Sequence, residues 1–203
     1  MGYGVIILLS YLVGSSNMAL YLGKIKKVDM QKNGTGNLGA SNATMLFGWG
    51  AGVLVALHDV GKTLLSVILA KLAFPRLVYA GVTAGVASIL GHLFPFYNRF
   101  RGGKGLASFI GLTLALNWKL GIGIVVVGFG LAFLTDCALV GSATAFLTVP
   151  VYIFFATGDK VLTLILAGTA ALLLWRHRDN FLRVLKGSEV GFRSGASGEH
   201  RVK

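Results

Sequence analysis

The sequence predicts an all-α, polytopic membrane protein of about seven transmembrane helices, and three observations carry that expectation. Of its 203 residues 55% are apolar and only 13% charged, with a mean hydropathy of +0.74, more apolar surface than one soluble core can hide. The apolar residues come in stretches, most of them close to the ~20 residues a helix needs to cross hydrocarbon. The cations gather between those stretches, and on alternate sides of them.

The stretches run near 3–22, 46–70, 77–97, 105–117, 120–135, 139–157 and 161–176. The first lacks a basic leader and carries Gly14-Ser15-Ser16, so it reads as a retained helix rather than a cleaved signal. The fourth and fifth are short, and Asn117 to Lys119 between them is either a break within the membrane or a tight turn. With seven spans and the N-terminus outside, the inner loops hold Lys24, Lys26, Lys27, Lys32, Arg99, Arg101, Lys104 and every cation from Arg176 onward. The outer turns hold only Lys71, Arg76, Lys119 and Lys160. This asymmetry orients the chain N-terminus out and C-terminus in, and it accounts for a net charge of +12 that in a soluble domain would suggest nucleic acid. No nucleic-acid partner is expected. Residues 1–192 read as one integral-membrane domain and 193–203 as a disordered cytoplasmic tail. The single cysteine, Cys137, excludes an internal disulfide and a cysteine zinc cluster.

Three polar islands fall on the inner side. "RFRGGKG" at 99–105 combines cations with Gly102, Gly103 and Gly105. Glycines let successive N–H groups turn toward one anion while Lys104 supplies charge. A loop that only orients the protein would need the cations but not the glycines. It is no nucleotide P-loop, because Gly105 stands where Ser or Thr would hold magnesium. "ALHDVGKT" is a similar false lead, with Ala56 in place of the first glycine and the segment inside a span. The second island, "KNGTGNLGASNAT" at 32–44, interleaves Gly34, Gly36 and Gly39 with Asn33, Thr35, Asn37, Ser41, Asn42 and Thr44. It is too rich in asparagine for a plain linker, and Ser41 or Asn42 could cap the span that follows. The third, "RHRDNFLRVLKGSE" at 176–189, reads as an interfacial helix with Phe181, Leu182 and Leu185 on its apolar side and Arg178, Arg183 and Lys186 toward headgroups. His177 and Asn180 share one of its faces. Polar loops converging on an apolar bundle make a site.

These residues resemble the bacterial membrane glycerol-3-phosphate acyltransferases that use an acyl phosphate donor, the PlsY family. The similarity runs through "GSSNMALYLGK", "GTGNLGASNAT", "DVGK", "GHLFPFYNRFRGGKG" and "RHRDNFLRVLKGSE" in order, and 193–203 lie beyond it. It implies seven helices in the bacterial plasma membrane, an outside N-terminus and a cytoplasmic active site. It also implies transfer of an acyl group from acyl phosphate to the 1-hydroxyl of sn-glycerol 3-phosphate, giving lysophosphatidic acid and inorganic phosphate in the first acylation of phospholipid synthesis. By resemblance Lys104, His177 and Asn180 are catalytic. Gly102, Gly103 and Gly105 form a phosphate loop with Lys104, and Thr35, Gly36, Asn37, Gly39, Asn42 and Ser142 bind substrate. No cofactor, metal or obligate protein partner is implied; the partners are the two substrates and membrane lipid.

An acyl phosphate is a mixed anhydride with a good leaving group, so charge management is the main task. Either His177 or the substrate phosphate could take the hydroxyl proton. No histidine is followed by aspartate five positions on: after His58, His92 and His177 stand Thr63, Tyr97 and Leu182. That excludes the acyl-CoA enzymes built on such a pair. Intramembrane Asp59 and Lys62 are expected to pair on one helical face, since an unpaired charge at the bilayer centre costs roughly 2.5–3.5 kcal/mol or more; His58 has no assigned role. One departure stands out, because Met45 occupies a position where the family usually carries an arginine. It leaves room for a paralogue with a different acceptor. A small transporter or flippase for a phosphorylated or anionic solute is the other reading. Against it, the islands cluster on one side and no internal repeat is visible.

Overall fold

The computed structural model describes residues 1–196; it is 75% helix and, among the described residues, holds no strand. The first apolar stretch forms α1 (Gly2–Ser15) and α2 (Met18–Ile25), broken at Ser16 and Asn17. Asn17 caps α2 by accepting from the Leu20 N–H at 3.0 Å. The carbonyls freed at the end of α1 find donors elsewhere: the Tyr97 hydroxyl reaches Ser15 O at 2.5 Å and the Lys62 ammonium reaches Ser16 O at 2.7 Å. In hydrocarbon a break in a helix survives only when its backbone groups are re-paired in this way.

α3 (Ala40–Phe47) and α4 (Trp49–Ala73) meet at Gly48, whose φ of 89° belongs to glycine. The second span therefore starts at Trp49, and 46–47 belong to a separate short helix. α5 (Ala80–Leu93) is the most enclosed span and runs into a 3₁₀ turn at Phe96–Asn98. α6 (Leu106–Leu116) and α7 (Trp118–Leu134) are joined through Asn117, which caps α7 at Leu120 N, 3.0 Å away. Leu114 packs on Gly121 across the junction, so 117–119 is a tight turn. α8 (Ala138–Thr157) and α9 (Lys160–Arg176) follow, and α10 (Arg178–Leu185) leaves α9 at an angle of 51°. α10 buries none of its residues and holds Phe181, Leu182 and Leu185 outward.

Among the described residues four stretches are long and apolar enough to cross a membrane: Gly2–Ile25, Trp49–Ala73, Ala80–Asn98 and Ala138–Thr157. The bent pair α9 and α10 adds a fifth if counted as one span, while α6 and α7 are shorter apolar helices. Small residues let the helices approach. A Cβ at Gly14 would fall on the Ser88 carbonyl, one at Gly91 on the Tyr11 carbonyl, and one at Gly111 on the Val60 carbonyl, the contact that replaces hydrophobic driving force between helices in lipid. The main core lies among α5, α6, α8 and α9, with Phe109 and Phe146 edge-on at 5.5 Å.

The expected Asp59–Lys62 pair forms at 2.8 Å, but it belongs to a larger cluster. His58 and His92 each bring Nδ1 to 3.4 Å from the same carboxylate oxygen. His58 also brings Nε2 to 3.0 Å from Ser16 Oγ, so it ties the pair to the break in the first span. Of the expected tail 193–203, residues 193–196 are docked: Arg193 and Ser194 bind Asp136, and Ser194–Ala196 form a 3₁₀ turn. The remainder lies outside the described residues.

Candidate active site

All three islands border one cavity of about 290 Å³. Its polar lining includes Thr35, Asn37, Gly39, Ser41, Lys104, Ser142, His177, Asn180 and Glu189, and its apolar lining Trp49, Ile124, Val125, Phe129 and Leu139. Three helices point their N-termini into it. α3 starts behind Gly39, α6 behind Gly105 and α8 behind Cys137, and none of these starts carries a side-chain cap. The first turn of a helix leaves N–H groups unpaired and a partial positive charge, so three uncapped starts around one cavity with a lysine form an anion site.

The glycine loop does not act as its composition suggests. Gly102 and Gly103 spend their N–H groups on the carbonyls of Leu93 and His92, at 3.0 and 3.2 Å, so they offer no backbone donor to an anion. They are glycines because a Cβ at either would strike His92. The segment they form lies against the end of α5, and Arg176 holds it through a 3.1 Å bond to Gly103 O. The result is to aim Lys104. Of the three glycines only Gly105 has positive φ, 90°, and there the chain turns into α6.

In the second island Thr35, Asn37 and Gly39 reach the cavity, and Gly36 and Asn42 do not. Asn42 is fully buried and holds the loop together instead: its Oδ1 accepts from Thr35 N at 2.8 Å, and its Nδ2 donates to Met30 O and Asn33 O at 3.0 and 3.2 Å. The cap of α3 is Gly39, not Ser41 or Asn42, because Asn42 sits inside the helix with its side chain committed to the loop. Ser142 lines the cavity while its hydroxyl proton goes to Ala138 O at 2.9 Å, leaving oxygen lone pairs free to accept. Met45 is buried in the cavity wall, beside Gly195.

His177 caps the end of α9, just beyond the span, and is 5% exposed. Its Nδ1 lies 2.8 Å from Leu173 O, which can only accept, so Nδ1 carries the proton and Nε2 presents a lone pair. Burial pulls this imidazole down to about 4 against the opposing effect of the Leu173 bond, with the charges of Lys104 and Arg176 adding to the pull. Lys104 donates to Asn180 Oδ1. The Asn180 amide donates to Glu189 at 2.5 Å, and Glu189 is held by Arg183 at 2.6 Å, so the amide's orientation is dictated from behind. Burial first, and then Arg183, lower Lys104 to about 8.

Residues 4–187 match the glycerol-3-phosphate acyltransferase family. The chain belongs to it. Glycerol-3-phosphate acyltransferases of Prochlorococcus marinus (strain MIT 9301) and Halorhodospira halophila (strain DSM 244 / SL1) are each 35% identical, over 91% and 96% of this chain and 94% and 98% of their own lengths. A relative from Coxiella burnetii (strain RSA 493 / Nine Mile phase I) is 33% identical over 93% of the chain and 97% of its own. The crystal structure of PlsY, an integral membrane glycerol 3-phosphate acyltransferase, in its glycerol 3-phosphate form superimposes with a TM-score of 0.88 at 29% identity, covering 94% of this chain and 96% of that one. Its lysophosphatidic acid form gives 0.86.

This membrane acyltransferase therefore builds its cavity partly from groups the motifs did not single out. His92 and Asp59 reach the cavity from the intramembrane cluster, Arg176 clamps the glycine loop, and Glu189 sets Asn180. Glu189 had a visible signal as the first acid following the basic α10. The three helix starts had none, because which helix ends share a cavity is a property of packing.

Proposed function

We propose that this acyltransferase moves a fatty acyl group from an acyl phosphate to the 1-hydroxyl of sn-glycerol 3-phosphate, releasing lysophosphatidic acid and inorganic phosphate. The reading rests on one observation: three uncapped helix starts and Lys104 line a cavity whose wall also carries the apolar Trp49, Ile124, Val125, Phe129 and Leu139. Two phosphates and a fatty chain need that combination, and an acceptor without charge would not. Lys104 and the starts of α3, α6 and α8 neutralise the two phosphates, and the chain lies against α7 and α8. The hydroxyl oxygen attacks the acyl carbon, and the carbon–oxygen bond to phosphate breaks with its electron pair leaving on phosphate.

His177 accepts the hydroxyl's hydrogen bond at Nε2 and so points the oxygen at the carbonyl. Lowered to about 4, it holds a proton poorly, whereas a phosphate with a second pKa of about 6 holds one well. The proton therefore ends on the substrate or departing phosphate. Thr35, Asn37, Gly39 and Ser142 contact substrate from the walls, while Gly102, Gly103, Gly36 and Asn42 support them. Residues 1–192 act as a single unit with seven spans, α6 and α7 included, in the bacterial plasma membrane. The positive loops and the active site face the cytoplasm. Purified protein in detergent should release phosphate from palmitoyl phosphate only when glycerol 3-phosphate is present, with lysophosphatidic acid formed in equal amount. Equal turnover of palmitoyl-CoA, or no lysophosphatidic acid at any substrate level, would refute the reading.

A further inference from the structure

Past α10, beyond the family match, the chain does not leave the protein. Glu189 lines the cavity and is held there by Arg183 and Asn180. The next residues then cross its mouth, with Val190, Gly191, Phe192 and Gly195 all lining it. The Phe192 ring stands edge-on to Trp49 of α4 at 6.1 Å and to Phe129 of α7 at 5.3 Å. Both of these rings also line the cavity. The segment is latched beyond this point on Asp136: Phe192 N donates to its carbonyl at 2.9 Å, Arg193 N to its carboxylate at 2.5 Å and Ser194 Oγ to the other carboxylate oxygen at 2.9 Å. Gly195 then buries itself against Met45. Both ends of the strap are thus fixed, and its one large ring closes the gap between α4 and α7.

We propose that Phe192 is a specificity-determining residue, the wall that decides which acyl chains the cavity's apolar lining admits. The inference rests on the acyl phosphate reading of the site. With the ring packed on Phe129, a straight saturated chain lies along the remaining apolar lining, and a chain with a cis double bond needs the extra width that the ring occupies. Hydrophobic pockets separate such near-isosteric chains by about 10- to 200-fold.

The test compares kcat/KM for palmitoyl phosphate and palmitoleoyl phosphate, with glycerol 3-phosphate as acceptor, in parent, Phe192→Ala and Asp136→Gly. The last keeps the left-handed turn at position 136, where φ is 51°, while removing the latch. Both variants should raise the palmitoleoyl-to-palmitoyl ratio by about tenfold, and Phe192→Tyr should keep the parent ratio. Loss of stability alone would lower both donors together and leave the ratio unmoved. A ratio within twofold of the parent in both variants overturns the proposal while leaving the reaction intact. A parent that uses neither donor overturns the underlying reading and this inference with it.

Discussion

Lys62 and Lys104 are both drawn into the protein, and their surroundings are opposite. The Lys62 ammonium has three protons and three partners: Ser16 O at 2.7 Å, Asp59 Oδ1 at 2.8 Å and His92 Nδ1 at 3.0 Å. Among the described residues Lys104 has one partner, Asn180, so two of its protons are uncommitted and face a cavity ringed by unpaired helix N–H groups. A saturated cation fixes architecture, here the break in the first span. An unsaturated one beside uncapped helix starts is prepared for an anion from outside. Position in the sequence does not tell the two apart, since each follows a glycine in a "GK" pair.

The comparison breaks most visibly on stability. Lys62→Met leaves Asp59 buried without its cation and Ser16 O without its donor, and should cost about 3–5 kcal/mol, as loss of one partner of a buried pair does. Melting in detergent and the yield of folded protein measure it. Lys104→Met should leave melting close to the parent, because its neighbours already tolerate a half-used group. If the two variants melt alike, the distinction between them is wrong.

On activity the order reverses. Lys104→Met should lower kcat/KM for glycerol 3-phosphate by about 10- to 100-fold, the worth of a charge-assisted bond to phosphate at 1.5–3 kcal/mol. Parent-like kinetics would return this lysine to the role of a cation that only orients the chain.

The third test uses pH. With Lys104 lowered to about 8, its charge is present at neutral pH and lost as pH rises through that value, while glycerol 3-phosphate stays a dianion above pH 7. In the parent kcat/KM should therefore fall about tenfold per unit above pH 8. Lys104→Arg should remove that limb, since guanidinium stays charged. An alkaline limb unchanged in Lys104→Arg would assign it to another group.

The smallest effect is expected at Met45. A guanidinium placed there would add a cation to the wall where a thioether only packs. Met45→Arg should lower the KM for glycerol 3-phosphate about fivefold and steepen its rise with salt, at a gain near 1 kcal/mol. Steady-state kinetics against glycerol 3-phosphate and glycerol separate this from a changed acceptor, which would gain nothing from the arginine.

Much of this protein was legible in its residues. Apolar length and cations gathered between the apolar stretches marked a helical membrane protein, and ordered motifs marked the family. Helix periodicity put Asp59 beside Lys62 and His177 on the face of Asn180. These are local facts, set within a turn or two by spacing that survives any packing. Tertiary structure decided the rest. It turned Gly102 and Gly103 from anion donors into close-contact residues against His92, and turned Asn42 from a ligand into the brace of its own loop. It brought the starts of α3, α6 and α8 to one cavity and laid the segment after Glu189 across it. The physical reason is that an N–H group, an amide or a lysine is a binding group only if nothing in the fold has already claimed its hydrogen bonds. Which of them are claimed depends on what packs against them from distant parts of the chain.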